Sequence, residues 1–127
     1  MADKTVVAVP GIKTIGPYSQ AVRSGGLLFV SGQPGVNPET GEAAGPDFAT
    51  QARQVFRNLE TVLRAGGSGF PLVVNTTVIV TDLANFGEVN RLFQEYFPEN
   101  PPARMTINAP LPKGLLLSIG CVAAVEA

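Results

Sequence analysis

Two segments of this chain, Val73–Val80 and 115–125, would be apolar on both faces if extended. The first is crowded with Val, Ile and Thr, residues that favour extended backbone. The second opens on Leu115-Leu116-Leu117 and carries a single hydroxyl, Ser118, in its apolar run. Side chains of a strand alternate between its two faces. A strand apolar on both must therefore lie inside a sheet that is covered twice.

The pattern elsewhere provides one of those covers. Over 47–65 apolar residues recur as Phe48, Ala52, Val55, Phe56, Leu59, Val62 and Leu63, the 3–4 spacing of a helix. Arg53, Arg57, Glu60 and Arg64 fall on the other side, Asp47 can cap the start, and Gly66-Gly67 ends it. A second helix is expected over 86–97, with Val89, Leu92, Phe93 and Tyr96 as its stripe. Asn85 is placed to cap it, Glu88 stands three residues on, and Pro98 follows its end. Shorter strands are expected at 6–9, at 19–23 and 27–31 around Ser24-Gly25-Gly26, and at 103–109. Asn37-Pro38-Glu39-Thr40-Gly41 is a turn, and 110–114 joins the last two strands. The order is strands, helix, strand, helix, two strands, and two amphipathic helices can cover one face of a single sheet. The other face then needs a partner, and identical subunits usually close into rings.

A length of 127 residues fits one domain without staples. With 45% apolar and 15% charged residues, disorder is not expected. No apolar run reaches the roughly 18 residues of a membrane helix. Met1-Ala2-Asp3-Lys4 lacks the pattern of a signal peptide, so a cytoplasmic protein is expected, with no membrane partner. There is no histidine, which rules out a Ser-His-Asp triad, histidine metal ligation and a two-histidine ribonuclease. The one cysteine, Cys121, allows no disulfide within the chain, and its apolar strand marks it as core rather than nucleophile. A net charge of -1 provides no basic footprint for nucleic acid. No metal or cofactor is expected.

Several segments invite a functional reading beside a plain one. In Gly16-Pro17-Tyr18-Ser19, Tyr18 stands at a strand entrance, either as a packed turn residue or at a cleft. In Val30-Ser31-Gly32-Gln33, Ser31 offers a hydroxyl and Gly32 a bare amide that a ligand could approach, or the pair marks a bulge or a strand end. Alternation puts Arg104, Thr106 and Asn108 on one face of their strand, with Met105 and Ile107 on the other. Behind Pro101-Pro102, the Arg104 guanidinium suits a carboxylate, or a salt bridge to a helix glutamate. Ser118 either bonds a neighbouring backbone group or holds a water. Asn90 follows apolar Val89 on the second helix.

Taken in order, these blocks resemble the RidA/YjgF/L-PSP family. They are 15–22 (IGPYSQAV), Val30-Ser-Gly-Gln33 with Pro38-Glu-Thr-Gly41, the Asn58-Leu59 helix, 74–83, Phe86 with Asn90, Pro102-Ala-Arg104 and Leu111-Pro-Lys113, and they span nearly the whole chain. The resemblance implies an α+β fold, chorismate mutase-like (bacillus type), with one mixed sheet and two helices on one face. It also implies a homotrimer with clefts between subunits. It implies hydrolysis of reactive imines or enamines of small carboxylic acids to 2-keto acids and ammonia. Carried over, Arg104 binds the substrate carboxylate, Gly32 with Ser31 beside it contributes backbone contact, Tyr18 closes the cleft and Asn90 lines it. Two positions depart from the deaminase pattern. Thr106 stands where a cysteine is frequent and can serve through its main chain. Ser118 stands where the water-orienting glutamate is expected, the stretch from Arg104 to Leu111 being one residue short. Glu126 is the one other carboxylate in that strand region. The alternatives are a trimer that binds keto acids without catalysis and, against the charge and the missing histidines, a ribonuclease or translation inhibitor.

Overall fold

The computed structural model describes residues 2–14 and 16–125; Ile15 and Glu126, both named above, lie outside the described residues. Six strands form one sheet: β1 (Thr5–Val7), β2 (Ala21–Ser24), β3 (Leu27–Pro34), β4 (Val73–Val80), β5 (Ala103–Asn108) and β6 (Leu117–Ala124). Their order across the sheet is β1-β2-β3-β6-β4-β5. Among the described residues the β4–β5 pair alone is parallel, joined through a helical crossover, so the sheet is mixed. As expected, β4 is an interior strand, and β6 is interior beside it.

Helix α1 (Phe48–Ala65) matches its sequence signals closely. The Asp47 carboxylate accepts from the Thr50 backbone N–H at 3.0 Å, and Gly66 and Gly67 terminate the helix, Gly67 at φ 81°. Gly66 is also a close-approach site: a Cβ there would lie 2.5 Å from Leu28 Cδ2. Helix α2 (Phe86–Tyr96) begins where expected but not by the expected device. Asn85 makes no side-chain cap bond, because it ends a short 3-10 turn (Leu83–Asn85) whose cap is Asp82, accepting from the Ala84 N–H at 2.9 Å. The capping box fails because the chain is already turning when it reaches Asn85.

Both helices cover the same face. Val55, Phe56, Leu59, Val62 and Leu63 of α1 and Val89, Leu92 and Phe93 of α2 share one core with Leu28, Val30, Val78, Leu117, Ile119 and Cys121. Phe56 and Tyr96 stack at 4.1 Å with parallel rings, tying α1 to α2. Over that contact, Arg53 pairs with Glu95 and donates to the Tyr96 hydroxyl at 3.0 Å. The opposite face of the sheet is open. On it stand Val22, Phe29, Val122, Ile79, Met105 and Ile107, and Met105 is 60% exposed.

Strand ends moved from their expected places. β1 starts and stops earlier than 6–9, β2 starts only at Ala21, and β6 starts at Leu117 rather than 115. The largest change is in β3, which does not stop at Ser31-Gly32. It runs on to Pro34 through a bulge: Val30 pairs with Cys121 but Gln33 pairs with Ile119, so Ser31 and Gly32 together face Gly120.

Candidate functional site

The bulge is held by a buried side chain. Gln33 donates to Gln20 Oε1 at 2.8 Å and to the Ser31 carbonyl at 3.0 Å. The Ser31 hydroxyl donates to the Ser19 carbonyl at 2.6 Å, and the Ser31 N–H to the Gln20 carbonyl at 3.0 Å. Held in this way, Gly32 sits against Gly120, where a Cβ would lie 3.4 Å from the Gly32 nitrogen. A Cβ on Gly32 would lie 2.9 Å from the Ser118 hydroxyl, so the bare α-carbon and that hydroxyl are neighbours. Ser118 lies beside Ile79, on the open face. Tyr18 shares a small cleft of about 20 Å³ with Gly32, Lys13 and Gln33. Its ring lies over Gly16, where a Cβ would come within 3.3 Å. Ser31 lines a shallow hollow of about 340 Å³ on the open face, with Phe29, Asn75, Thr77 and Gly120.

Arg104 belongs to a different region. Its partner in the β4–β5 ladder is Thr76, which is buried beneath the helices, so the Arg104 side chain rises on the helix-covered face at the outer strand. There Nη2 donates to Asn90 Oδ1 at 2.7 Å. The guanidinium carbon sits 4.9 Å from the Phe93 ring centroid and 5.4 Å from that of Phe86. The salt bridge weighed from sequence does not form. Among the described residues Arg104 has no carboxylate partner, while Glu88, Glu95 and Glu60 are taken by Arg91, Arg53 and Arg64. Arg104 thus presents a fork of donors of which one bond goes to a neutral amide. It opens into a groove of about 690 Å³.

Thr106, two residues on, points to the same side, opposite Val78. Its hydroxyl is buried and has no hydrogen-bond partner among the described residues. Asn108 donates to the Val80 carbonyl at 2.9 Å and is a strand-end anchor.

The residues singled out from sequence therefore fall into two groups. Arg104, Asn90 and Thr106 stand on the helix side of β5; Ser31, Gly32 and Ser118 cluster around the β3 bulge and the open face, with Tyr18 in the cleft beside Gly32, Gln33 and Asn58. Phe86, Phe93, Gln20 and Gln33 were missed as site residues. The signal for the two phenylalanines was present: Phe86, Asn90 and Phe93 follow the i, i+4, i+7 spacing that faces one line of contact. Cys121 is buried, and burial pushes its thiol up to about 12, which leaves it protonated and unreactive at neutral pH. No three or more potential metal ligands cluster among the described residues. No helix there is long and apolar enough to cross a membrane.

Comparison with known proteins gives a consistent picture. The family model described as endoribonuclease L-PSP matches residues 10–125. A RutC family protein of Pyrococcus horikoshii is 40% identical over 115 residues, covering 90% of this chain and 91% of that protein. The human 2-iminobutanoate/2-iminopropanoate deaminase is 41% identical over 110 residues, 86% of this chain and 80% of that protein. The crystal structure of the YjgF gene product of E. coli superposes with a TM-score of 0.86 at 36% identity, over 98% of this chain and 100% of that one.

Proposed function

The chain belongs to the endoribonuclease L-PSP family, and from that premise we propose that it hydrolyses imines or enamines of small carboxylic acids to 2-keto acids and ammonia. The observation that carries this reading is Arg104, a guanidinium with no carboxylate partner among the described residues, aimed by Asn90 and two aromatic rings into an open groove. Such a fork matches a carboxylate in bidentate geometry. The reaction then needs little apparatus. Water adds to the imine carbon, the nitrogen takes up protons, and the carbon–nitrogen bond breaks to release ammonia and the keto acid. With the carboxylate on Arg104, the imine carbon lies one bond away and is held in one orientation. The Gly32 backbone and the Ser118 hydroxyl would hold the water, and Thr106 would contribute through its main chain.

The two groups of residues lie on opposite sides of one sheet, so one chain does not assemble this site alone. A homotrimer is the proposed answer. Its subunits would pack the open apolar face of each sheet and set the bulge of one subunit against the Arg104 groove of the next. That face, with Phe29, Met105 and Ile107 exposed, supports this arrangement. The cytoplasm is the proposed location.

Ser118 favours a second reading, a keto-acid-binding trimer without catalysis. General acid–base groups contribute about 10²–10⁴-fold, and a serine hydroxyl does not exchange protons at neutral pH as a carboxylate does. The experiment is a coupled assay in which an amino-acid oxidase generates the imine and keto acid release is followed. Acceleration over buffer that is lost in Arg104→Ala is the expected result. Keto acid binding with no acceleration, and a large gain of activity in Ser118→Glu, would instead favour the binding reading.

A further inference from the structure

Arg104 lines its groove together with residues that are uncharged and mostly apolar. They are Phe93, Phe97, Pro98, Pro101 and Pro102, with the neutral amides of Asn90 and Gln94. Apart from Arg104, no lining residue carries a charge. An acidic substrate side chain would meet no second cation, and a basic one would meet no carboxylate. The prolines restrict the backbone, and Phe93 and Phe97 are buried core residues, so these walls are stiff. The volume, about 690 Å³, is in the range that houses drug-sized ligands. A second hollow of about 260 Å³, bordered by Phe70, Pro71 and Tyr96, continues from the shared Phe97 and Pro98. A three-carbon imino acid held at Arg104 brings only a methyl group to this wall.

We propose that the groove is a side-chain subsite, and that it selects 2-imino and 2-keto acids with large apolar side chains, of the leucine or phenylalanine kind, over the alanine-derived ones. This rests on the carboxylate-anchoring role of Arg104 and deepens it. Each methylene removed from water contributes roughly fourfold in affinity when fully buried. Three added carbons would give about 60-fold in a closed pocket. The groove is open on one side, so roughly tenfold is expected between the alanine- and leucine-derived acids. This gain is made equally in the ground and transition states and belongs in Kd or KM, with kcat little changed.

Binding tests the subsite independently of hydrolysis. The dissociation constants of pyruvate, 4-methyl-2-oxopentanoate, phenylpyruvate and 2-oxoglutarate are measured by calorimetry on the full chain, for the parent, Gln94→Trp and Arg104→Ala. Gln94 is exposed on α2, so the indole would narrow the groove without disturbing the core. Support is an advantage of about tenfold for the two large apolar acids, none for 2-oxoglutarate, and loss of that advantage in Gln94→Trp. Equal affinities, tighter pyruvate, or an advantage untouched by Gln94→Trp would overturn the subsite while leaving Arg104 as anchor if Arg104→Ala abolishes all binding. Binding unaffected by Arg104→Ala would overturn the anchor itself, and the subsite with it.

Discussion

The contact between Gly32 and Ser118 joins two strands at the bulge, and a double-mutant cycle measures it. Gly32→Ala places a methyl group 2.9 Å from the Ser118 hydroxyl oxygen, closer than packed atoms tolerate. Overpacking of this kind costs about 1–3 kcal/mol. The hydroxyl can turn about its Cα–Cβ bond, so the lower end, about 1 kcal/mol, is expected. Gly32 is not among the positive-φ glycines, so alanine suits its backbone. That suitability stabilises by about 0.4–1 kcal/mol through the unfolded chain and masks part of the clash in the single variant. In a Ser118→Ala background the oxygen is gone and only the favourable term remains. The coupling between the two substitutions should therefore be about 1 kcal/mol, with the double variant more stable than the sum predicts. Urea unfolding at one fixed protein concentration reads this as a midpoint displaced by roughly 0.5 M. Additivity within about 0.3 kcal/mol would mean that the two residues do not touch, and the bulge would no longer support a shared role for them.

Other outcomes follow from single groups. Thr106→Val removes a buried hydroxyl that has no partner, so thermal unfolding should be unchanged or rise by up to about 1 kcal/mol, and a loss above that would show that the hydroxyl is bonded. Asp47→Ala should cost about 0.5–2 kcal/mol in urea unfolding by removing the α1 cap, and a neutral result would contradict the capping role. Hydrogen bonds from Thr50, Arg91 and Arg53 respectively hold the carboxyls of Asp47, Glu88 and Glu95 below their ordinary range. Groups so lowered stabilise the fold above their unfolded value and cease to as the pH falls, so melting temperatures should be level near neutrality and decline below about 4.5; a decline already complete at pH 6 would point to other groups. Cys121, buried with its thiol pushed up to about 12, should react with a thiol reagent only in denaturant, and full labelling of the native protein within seconds would refute its burial.

The sequence by itself determined the elements that rest on local chemistry. Asp47 and Gly66-Gly67 mark α1 to the residue, because a cap and a stop act within one turn of the helix. The Val, Ile and Thr of Val73–Val80, apolar residues falling on both faces, place β4 inside the sheet, and it lies between β6 and β5. Alternation put Arg104 and Thr106 on one side of β5, because the strand period is two. Strand order was decided elsewhere. Nothing in 117–124 says that it lies between β3 and β4, since that choice depends on closing a sheet over two helices at once. The start of α2 at a 3-10 turn, with Asp82 rather than Asn85 as the local cap, was also a tertiary outcome. The Ser31-Gly32 pair allowed a bulge or a strand end, and its pairing with β6 decided for the bulge, because one extra residue is visible only against a partner strand. Tertiary structure likewise set Arg104 among Phe86, Asn90 and Phe93 and left Ser118 and Gly32 across the sheet from it. That separation depends on which face each strand turns to the helices, a relation between distant segments that no local pattern encodes.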